Sequence, residues 1–223
     1  MQWRKKLLKD SKLYLILDTE VCGYGRLLDI AKKAFRAGVN IFQIRDKRGS
    51  VQEMLLFSQK MVRMLNKKAL FIVNDRVDVA LAADADGVHV GQEDLPCSVS
   101  RDILGSDKLV GVSCQTLRHV ERAQQAGADY IGFGSVFKTL TKPGRQAMDL
   151  NFLKHIVKES RIPLFAIGGI NFDNIYSVTQ AGVSRVAICR AICQARDVER
   201  TTKSFKDFLA GKKYGISAGI LRG

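Results

Sequence analysis

Residues Leu27–Arg45 read LLDIAKKAFRAGVNIFQIR. Leu27, Ile30, Ala31, Ala34 and Phe35 recur at i, i+3, i+4, i+7 and i+8, the spacing of one buried helix face. Gly38 supplies the stop for that helix. Three residues later Ile41–Arg45 begins as a short apolar run with strand character. The same unit, a helix ending on glycine and turning directly into a strand, recurs twice. It is Gln125-Ala126-Gly127-Ala128 before Tyr130–Phe133, and Gln180-Ala181-Gly182-Val183 before Arg185–Ile188. A looser copy, Ala83-Asp84-Ala85-Asp86, precedes Gly87–Val90.

Outward from that unit the alternation continues. Leu13–Leu17, Leu70–Val73, Leu109–Ser113 and Pro163–Ile167 complete a set of eight short apolar runs. Such runs suit strands buried on both faces of a parallel sheet. Val51–Leu65, Thr116–Ala126, Leu150–Val157 and Asn174–Ala181 carry helical spacing. Arg76–Ala82 is brief, and Pro96–Leu104 is a weaker helical pattern. Strict βα alternation eight times, with a repeat before even-numbered strands, points to a single (β/α)8 TIM barrel with parallel strands. An open doubly wound sheet is the alternative. It would show a dinucleotide glycine pattern after the first strand, and Thr19–Tyr24 has none. The reading is one domain over 1–223, with a core of about 13–209 and basic extensions at 1–12 and 210–223.

Lys and Arg number 36 against 22 Asp and Glu, a net charge of +14. Such a surplus suits anionic substrates, nucleic acid or simply a basic surface. Much of it sits at the two ends, from Arg4 to Lys12 and from Lys203 to Arg222. The five cysteines, Cys22, Cys97, Cys114, Cys189 and Cys193, form no C-x-x-C pair, which argues against a zinc knuckle or a secreted disulfide framework. No apolar run approaches the roughly 18 residues of a membrane span. The expectation is a cytoplasmic protein with no membrane partner and small phosphorylated substrates; a homo-oligomer is left open.

In such a barrel the chemistry gathers at the C-terminal ends of the strands. Alternation in Ile41–Lys47 puts Gln43, Arg45 and Lys47 on one face, toward the mouth. Three such groups facing a cavity suit an anion, or else a structural salt-bridge cluster. Strands three and four end in Asn74-Asp75 and in Gln92-Glu93-Asp94. Asp75 and Asp94 on neighbouring strands can approach, and two carboxylates together call for a proton or a cation. Mg²⁺ fits hard oxygen ligands beside an anionic substrate; the plainer reading has Asp75 cap the next helix. Strand five ends at Ser113. His89 reads as a packed or supporting residue. Gly134–Arg145 is the longest loop, with three cations and two threonines, suited to phosphate or to an ordinary basic surface. Gly168-Gly169 and Cys189-Arg190 stand after strands seven and eight, the recurrent phosphate position of this fold. Two anion sites follow, the metal beside the first, with no evident general base between them.

Taken together, Gln43-Ile44-Arg45-Asp46-Lys47, Val73-Asn74-Asp75, Gly91-Gln92-Glu93-Asp94, Thr139-Leu140-Thr141-Lys142 and Ile167-Gly168-Gly169-Ile170 resemble the motif set of thiamine phosphate synthases, in register from about Leu13 to Phe208. The resemblance implies a transferase that couples 4-amino-2-methyl-5-hydroxymethylpyrimidine diphosphate to a thiazole phosphate, with Mg²⁺-assisted loss of pyrophosphate through a pyrimidine carbocation. It implies that Gln43, Arg45, Lys47, Asn74, Ser113 and Lys142 hold the pyrimidine diphosphate, with Arg45, Lys47 and Lys142 catalytic. It implies Asp75 and Asp94 as Mg²⁺ ligands, and Thr139, Thr141, Gly169, Cys189 and Arg190 around the thiazole phosphate. A dissociative reaction needs leaving-group stabilisation more than a base. One departure stands out: the family usually has serine where this chain has Arg190. A guanidinium there adds a bidentate contact or crowds the site.

Three rival readings differ in what they require. The related thiazole tautomerase relies on a histidine just after strand five, where this chain reads Ser113-Cys114-Gln115. A non-catalytic basic nucleic-acid binder would interleave cations with exposed aromatics, and Trp3 is the sole tryptophan. An aldolase of this fold needs a lysine within a strand core, and none is present.

Overall fold

Strands buried on both faces need a helix layer outside them and partners on both edges. The computed structural model describes residues 2–138 and 147–212. Helix α1 (Gln2–Asp10) leads into β1 (Leu13–Asp18), followed by α2 (Tyr24–Arg36), β2 (Ile41–Arg45), α3 (Val51–Leu65) and β3 (Leu70–Asn74). Then come α4 (Val77–Ala82), β4 (Gly87–Val90), α5 (Cys97–Leu104), β5 (Leu109–Cys114), α6 (Leu117–Gln125) and β6 (Tyr130–Phe133). The chain ends with α7 (Leu150–Glu159), β7 (Leu164–Ile167), α8 (Ile175–Gln180), β8 (Val186–Ile188), α9 (Arg190–Cys193) and α10 (Val198–Leu209). The strands form a closed barrel in sequence order. Every pairing is parallel, and β8 returns to β1 through Leu13–Val186 and Leu15–Ile188. This is the (β/α)8 barrel, and its closure excludes the open sheet.

Alternation along each strand divides the core in two. Leu13, Leu15 and Leu17 of β1, Phe42 and Ile44 of β2, and Phe71 and Val73 of β3 face the helices and pack with residues such as Leu27, Ile30 and Phe57. Tyr14, Ile16, Ile41, Leu70, Ile72, Leu109, Tyr130 and Phe165 face inward and fill the barrel. Gly111 makes that filling fit, because a Cβ there would lie 2.1 Å from the ring of Tyr130.

Helix boundaries follow local chemistry where caps exist. Ser50 caps α3 by accepting from Glu53 N at 3.0 Å, a device that contributes about 1 kcal/mol. Helix α2 starts at Tyr24, three residues before the apolar pattern begins. Tyr24 packs its ring 5.1 Å from that of Phe57 and donates to Asp46, so tertiary contacts extend the helix by most of a turn.

One expectation changes. The N-terminal residues read as a basic extension, yet Gln2–Asp10 is a helix laid across the N-terminal ends of the strands. Leu8 is buried there, with Trp3 and Leu7 against the inner cluster. Arg4 Nε donates to Asp86 Oδ1 at 2.8 Å, while Asp86 Oδ2 accepts from Phe71 N. An open barrel floor exposes apolar side chains, and this amphipathic segment covers them. Arg190, which follows strand eight in the sequence, does not open the last helix. It opens only the single turn α9, pinned by buried Ile192 and Cys193. The last helix restarts at Val198, where Asp197 caps it. Phe205 of that helix stacks on Phe172 at 3.8 Å, which draws α10 to the outer layer. Among the described residues no helix is long and apolar enough to cross a membrane.

Candidate active site at the barrel mouth

The C-terminal ends of the strands surround a cavity of ≈ 490 Å³, a volume that suits a small molecule. Gln43, Arg45, Asn74, Ser113, Gly169, Cys189 and Arg190 all line it. These are seven of the residues singled out in the sequence, drawn from β2, β3, β5 and the loops after β7 and β8. Thr139, Thr141 and Lys142 lie outside the described residues.

Arg45 is nearly buried and anchored rather than loose. Its Nη1 donates to Asp18 Oδ2 at 2.8 Å and to Glu20 Oε2 at 3.2 Å. Asp18 is fully buried at the end of β1. Its other oxygen accepts from Glu20 N, which fixes the loop that carries the second carboxylate. Arg45 Nε is buried with no hydrogen-bond partner among the described residues. A buried donor left so is costly unless a ligand satisfies it.

Lys47 stands on the rim, exposed, and does not line the cavity. It donates to Asp75 Oδ2. Asp75 takes a left-handed backbone, φ 62°, and its N–H donates to His89 O at 2.8 Å. That backbone turns its carboxyl toward Asp94 instead of onto α4. Arg76, not Asp75, occupies the cap position of α4, with no side-chain cap, so the simple capping role is excluded. Asp94 Oδ2 accepts from Gly91 N at 2.7 Å. Burial pushes the Asp75 carboxyl above its usual range, and the facing Asp94 carboxyl pushes it the same way against the pull of Lys47. Among the described residues no three His, Cys, Asp or Glu side chains cluster as a metal cage. The pair supplies two carboxylates, and a cation there would complete its shell with ligand oxygens and water.

On the opposite side, Gly168 and Gly169 have φ of 105° and 63°. A Cβ at Gly169 would sit 2.5 Å from Lys138 O, so only glycine allows the loop after β7 to pass this close to the loop after β6. Asn174 locks the turn by donating to Gly169 O and accepting from Asn171 N, each at 2.9 Å. Lys138 adds a cation to the cavity wall.

Sequence reading missed several lining residues. Tyr14 and Tyr130 read as apolar core, yet both reach the cavity floor. His89, read as a packed support, lines the cavity and bonds both Tyr130 and Ser113. A signal did exist: a tyrosine buried within a strand needs a partner for its hydroxyl. Asp18 and Glu20 carried no such signal, because their partner lies on the neighbouring strand.

Comparison with known proteins now adds the family. The family model described as thiamine monophosphate synthase matches residues 13–192. A thiamine-phosphate synthase of Thermosynechococcus vestitus is 43% identical over 204 residues, covering 91% of this chain and 57% of that protein. The chain therefore spans under two thirds of that relative's length. A thiamine-phosphate synthase of Methanosarcina barkeri is 40% identical over 211 residues, covering 92% of this chain and 94% of its own. Among solved structures, thiamine phosphate pyrophosphorylase from Pyrococcus furiosus superposes with a TM-score of 0.82 at 35% identity, covering 93% of this chain and 98% of that one.

Proposed function

The chain belongs to the thiamine monophosphate synthase family, and from that membership we propose that it couples 4-amino-2-methyl-5-hydroxymethylpyrimidine diphosphate to a thiazole phosphate, releasing pyrophosphate and forming thiamine phosphate. The observation that carries this reading is the convergence of Arg45, Asn74, Ser113, Gly169 and Arg190 on one cavity. It has cations on both sides and a carboxylate pair on one rim.

Arg45 holds the diphosphate. Its Nη1 is committed to Asp18 and Glu20, which leaves buried Nε among the groups available to phosphate oxygens. Lys47, on the rim against Asp75, and Lys142 join it on the resemblance. Donors placed where negative charge develops stabilise the departing pyrophosphate in a water-poor site. Asn74 and Gln43 orient the pyrimidine. On the far side Gly169, Cys189 and Arg190 hold the thiazole phosphate, joined on the resemblance by Thr139 and Thr141, so that its ring nitrogen faces the reacting carbon. Such positioning accounts for much of the barrier in a two-substrate reaction.

The residues present fit Mg²⁺. Asp75 and Asp94 crowd two carboxyls into one place, and a divalent cation relieves that repulsion better than the single charge of Lys47. Mg²⁺ bound there would neutralise charge on the leaving diphosphate.

The test is direct. Purified full-length protein is mixed with both substrates and Mg²⁺, and thiamine phosphate and pyrophosphate are followed together. Formation of both in equal amounts supports the reading; no product from either substrate order overturns it.

A further inference from the structure

Two carboxylates hold the guanidinium of Arg45, and they differ in how firmly they are fixed. Asp18 and Arg45 are register partners at the ends of β1 and β2. Asp18 Oδ2 accepts from Arg45 Nη1 at 2.8 Å, and the Asp18 side chain is fully buried. Its other oxygen accepts from Glu20 N at 2.9 Å, while Val21 N and Cys22 N donate to Asp18 O. The backbone that carries Glu20 is thereby tied down. Glu20 Oε2 accepts from the same Nη1 at 3.2 Å, yet its side chain is 28% exposed. Its second oxygen, Oε1, lies 3.8 Å from Nε of Arg48, whose side chain is 86% exposed. The Glu20 carboxylate therefore stands between two arginines, bonded to the inner one and near the outer one.

Charge and hydrogen counts say which contact is exchangeable. Arg45, Asp18 and Glu20 sum to a charge of −1, and Arg48 brings the corner to neutrality. Nη1 has two hydrogens and gives one to each carboxylate. Nε–H and the Nη2 hydrogens are left, the parallel fork that suits a phosphate group. Nε is buried with no hydrogen-bond partner among the described residues, and Arg45 lines the cavity. An anion seated on that fork shares one guanidinium with two carboxylates, and like charges so close repel. Asp18 cannot leave, because a buried carboxylate without its partner is costly. Glu20 can, because a partly exposed ion pair contributes little and its carboxylate already lies near Arg48.

We propose that Glu20 is a resident counter-anion which a diphosphate displaces from Arg45 toward Arg48, while Asp18 remains the fixed anchor of the guanidinium. Both are positioning residues and act through Arg45. The exchange makes the site selective for strongly charged ligands. A singly charged anion gains little by replacing a carboxylate of equal charge, whereas a diphosphate brings more charge and more acceptor oxygens. The identity of the ligand rests on the diphosphate reading above; the placement of Glu20 between two arginines does not.

The test measures binding of inorganic pyrophosphate, in the presence of Mg²⁺, to the full-length protein by isothermal titration calorimetry, with Arg45→Met as the reference for loss of the site. Glu20→Gln should bind pyrophosphate about threefold more tightly than the wild type, the scale of a released, partly exposed ion pair. Removing a negative charge tightens binding through space as well, so Glu20→Asp separates the two effects. It keeps the charge on a side chain one methylene too short for Arg45, and it too should bind more tightly. Wild-type affinity in Glu20→Asp, or no gain in Glu20→Gln, overturns the proposal. Arg48→Met removes the receiving cation. It should weaken binding about twofold in the wild type and leave the Glu20→Gln variant unchanged, a coupling that general charge does not produce. Equal weakening in both backgrounds overturns the exchange. Thiamine phosphate formed without any of these Glu20 effects defeats the exchange alone. Pyrophosphate that fails to bind, or binds the wild type and Arg45→Met equally, defeats the diphosphate reading with it.

Discussion

At the scale of single residues, the mouth is organised by charges that hold one another in place. Asp75 shows this most directly. Its carboxyl is raised by burial and by Asp94, so the folded state binds a proton more tightly than the unfolded chain does. Stability in the absence of metal therefore falls as pH rises from the ordinary carboxylate value through the raised one. Asp75→Asn, which tolerates the left-handed backbone, should remove that decline. Its Tm at neutral pH should match or exceed the wild type in chelator, with the two converging in acid. Mg²⁺ should raise the wild-type Tm and not that of the variant, and turnover in the variant should fall about 100-fold or more. Equal Mg²⁺ shifts in both proteins would remove Asp75 from the metal. Arg190→Ser tests the other side. It should raise KM for the thiazole phosphate about tenfold, the scale of a charge-assisted contact, and leave KM for the diphosphate nearly constant. Equal change in both would contradict its placement. Gln43 and Arg45 were legible in the sequence because strand alternation is local and one face of Ile41–Arg45 had to be polar. Asp18 was not, because its meaning comes from Arg45 on the next strand, 27 residues away.

Among the elements, most boundaries were readable to within a residue or two, and the exceptions share a cause. Helix α3 coincides with its expected range because Ser50 and Asn66 end it locally, the latter with φ 43°. Helix α2 gains a turn from Tyr24, whose partners Phe57 and Asp46 belong to the next repeat. Helix α1 was read as an extension because its charges dominate its composition. Only the barrel floor gives Trp3, Leu7 and Leu8 something to bury against. Leu8→Ala should destabilise the protein by about 2–4 kcal/mol, the range for a buried leucine. Because α1 lies at the end of the barrel away from the cavity, KM for both substrates should stay constant. Denaturant unfolding with parallel kinetics checks both; a changed KM with unchanged stability would contradict the floor role.

Over the whole molecule, the charge of +14 bears on how ligands arrive. Some of it is spent on structure: Arg4 with Asp86, Lys5 and Arg101 with Asp129. The cavity wall also carries Lys138 and Arg190, beside an Arg45 that is paired with Asp18 and Glu20, and cations along a cleft draw anions. Raising ionic strength from about 0.05 M to about 0.5 M should lower kcat/KM for the diphosphate several-fold while kcat changes little, since screening acts on encounter. A salt-independent kcat/KM would show that steering contributes nothing.

The sequence by itself determined the barrel, the inward face of the second strand with Gln43 and Arg45, and the motif set that carries the family resemblance. All three depend on short-range periodicity or on residue types in order, which a linear chain displays in full. Tertiary structure alone decided which further groups meet: the grip of Asp18 on Arg45, the floor made by α1, and the hydrogen bonds among Tyr14, Tyr130, His89 and Ser113. Tyr14 and Tyr130 are 116 residues apart and share a hydrogen bond. Closing the sheet brings opposite strands within one side chain of each other. The physical reason is that hydrogen-bond partners across a closed barrel are chosen by register and by which positions are small enough, as Gly111 is, to let a ring through.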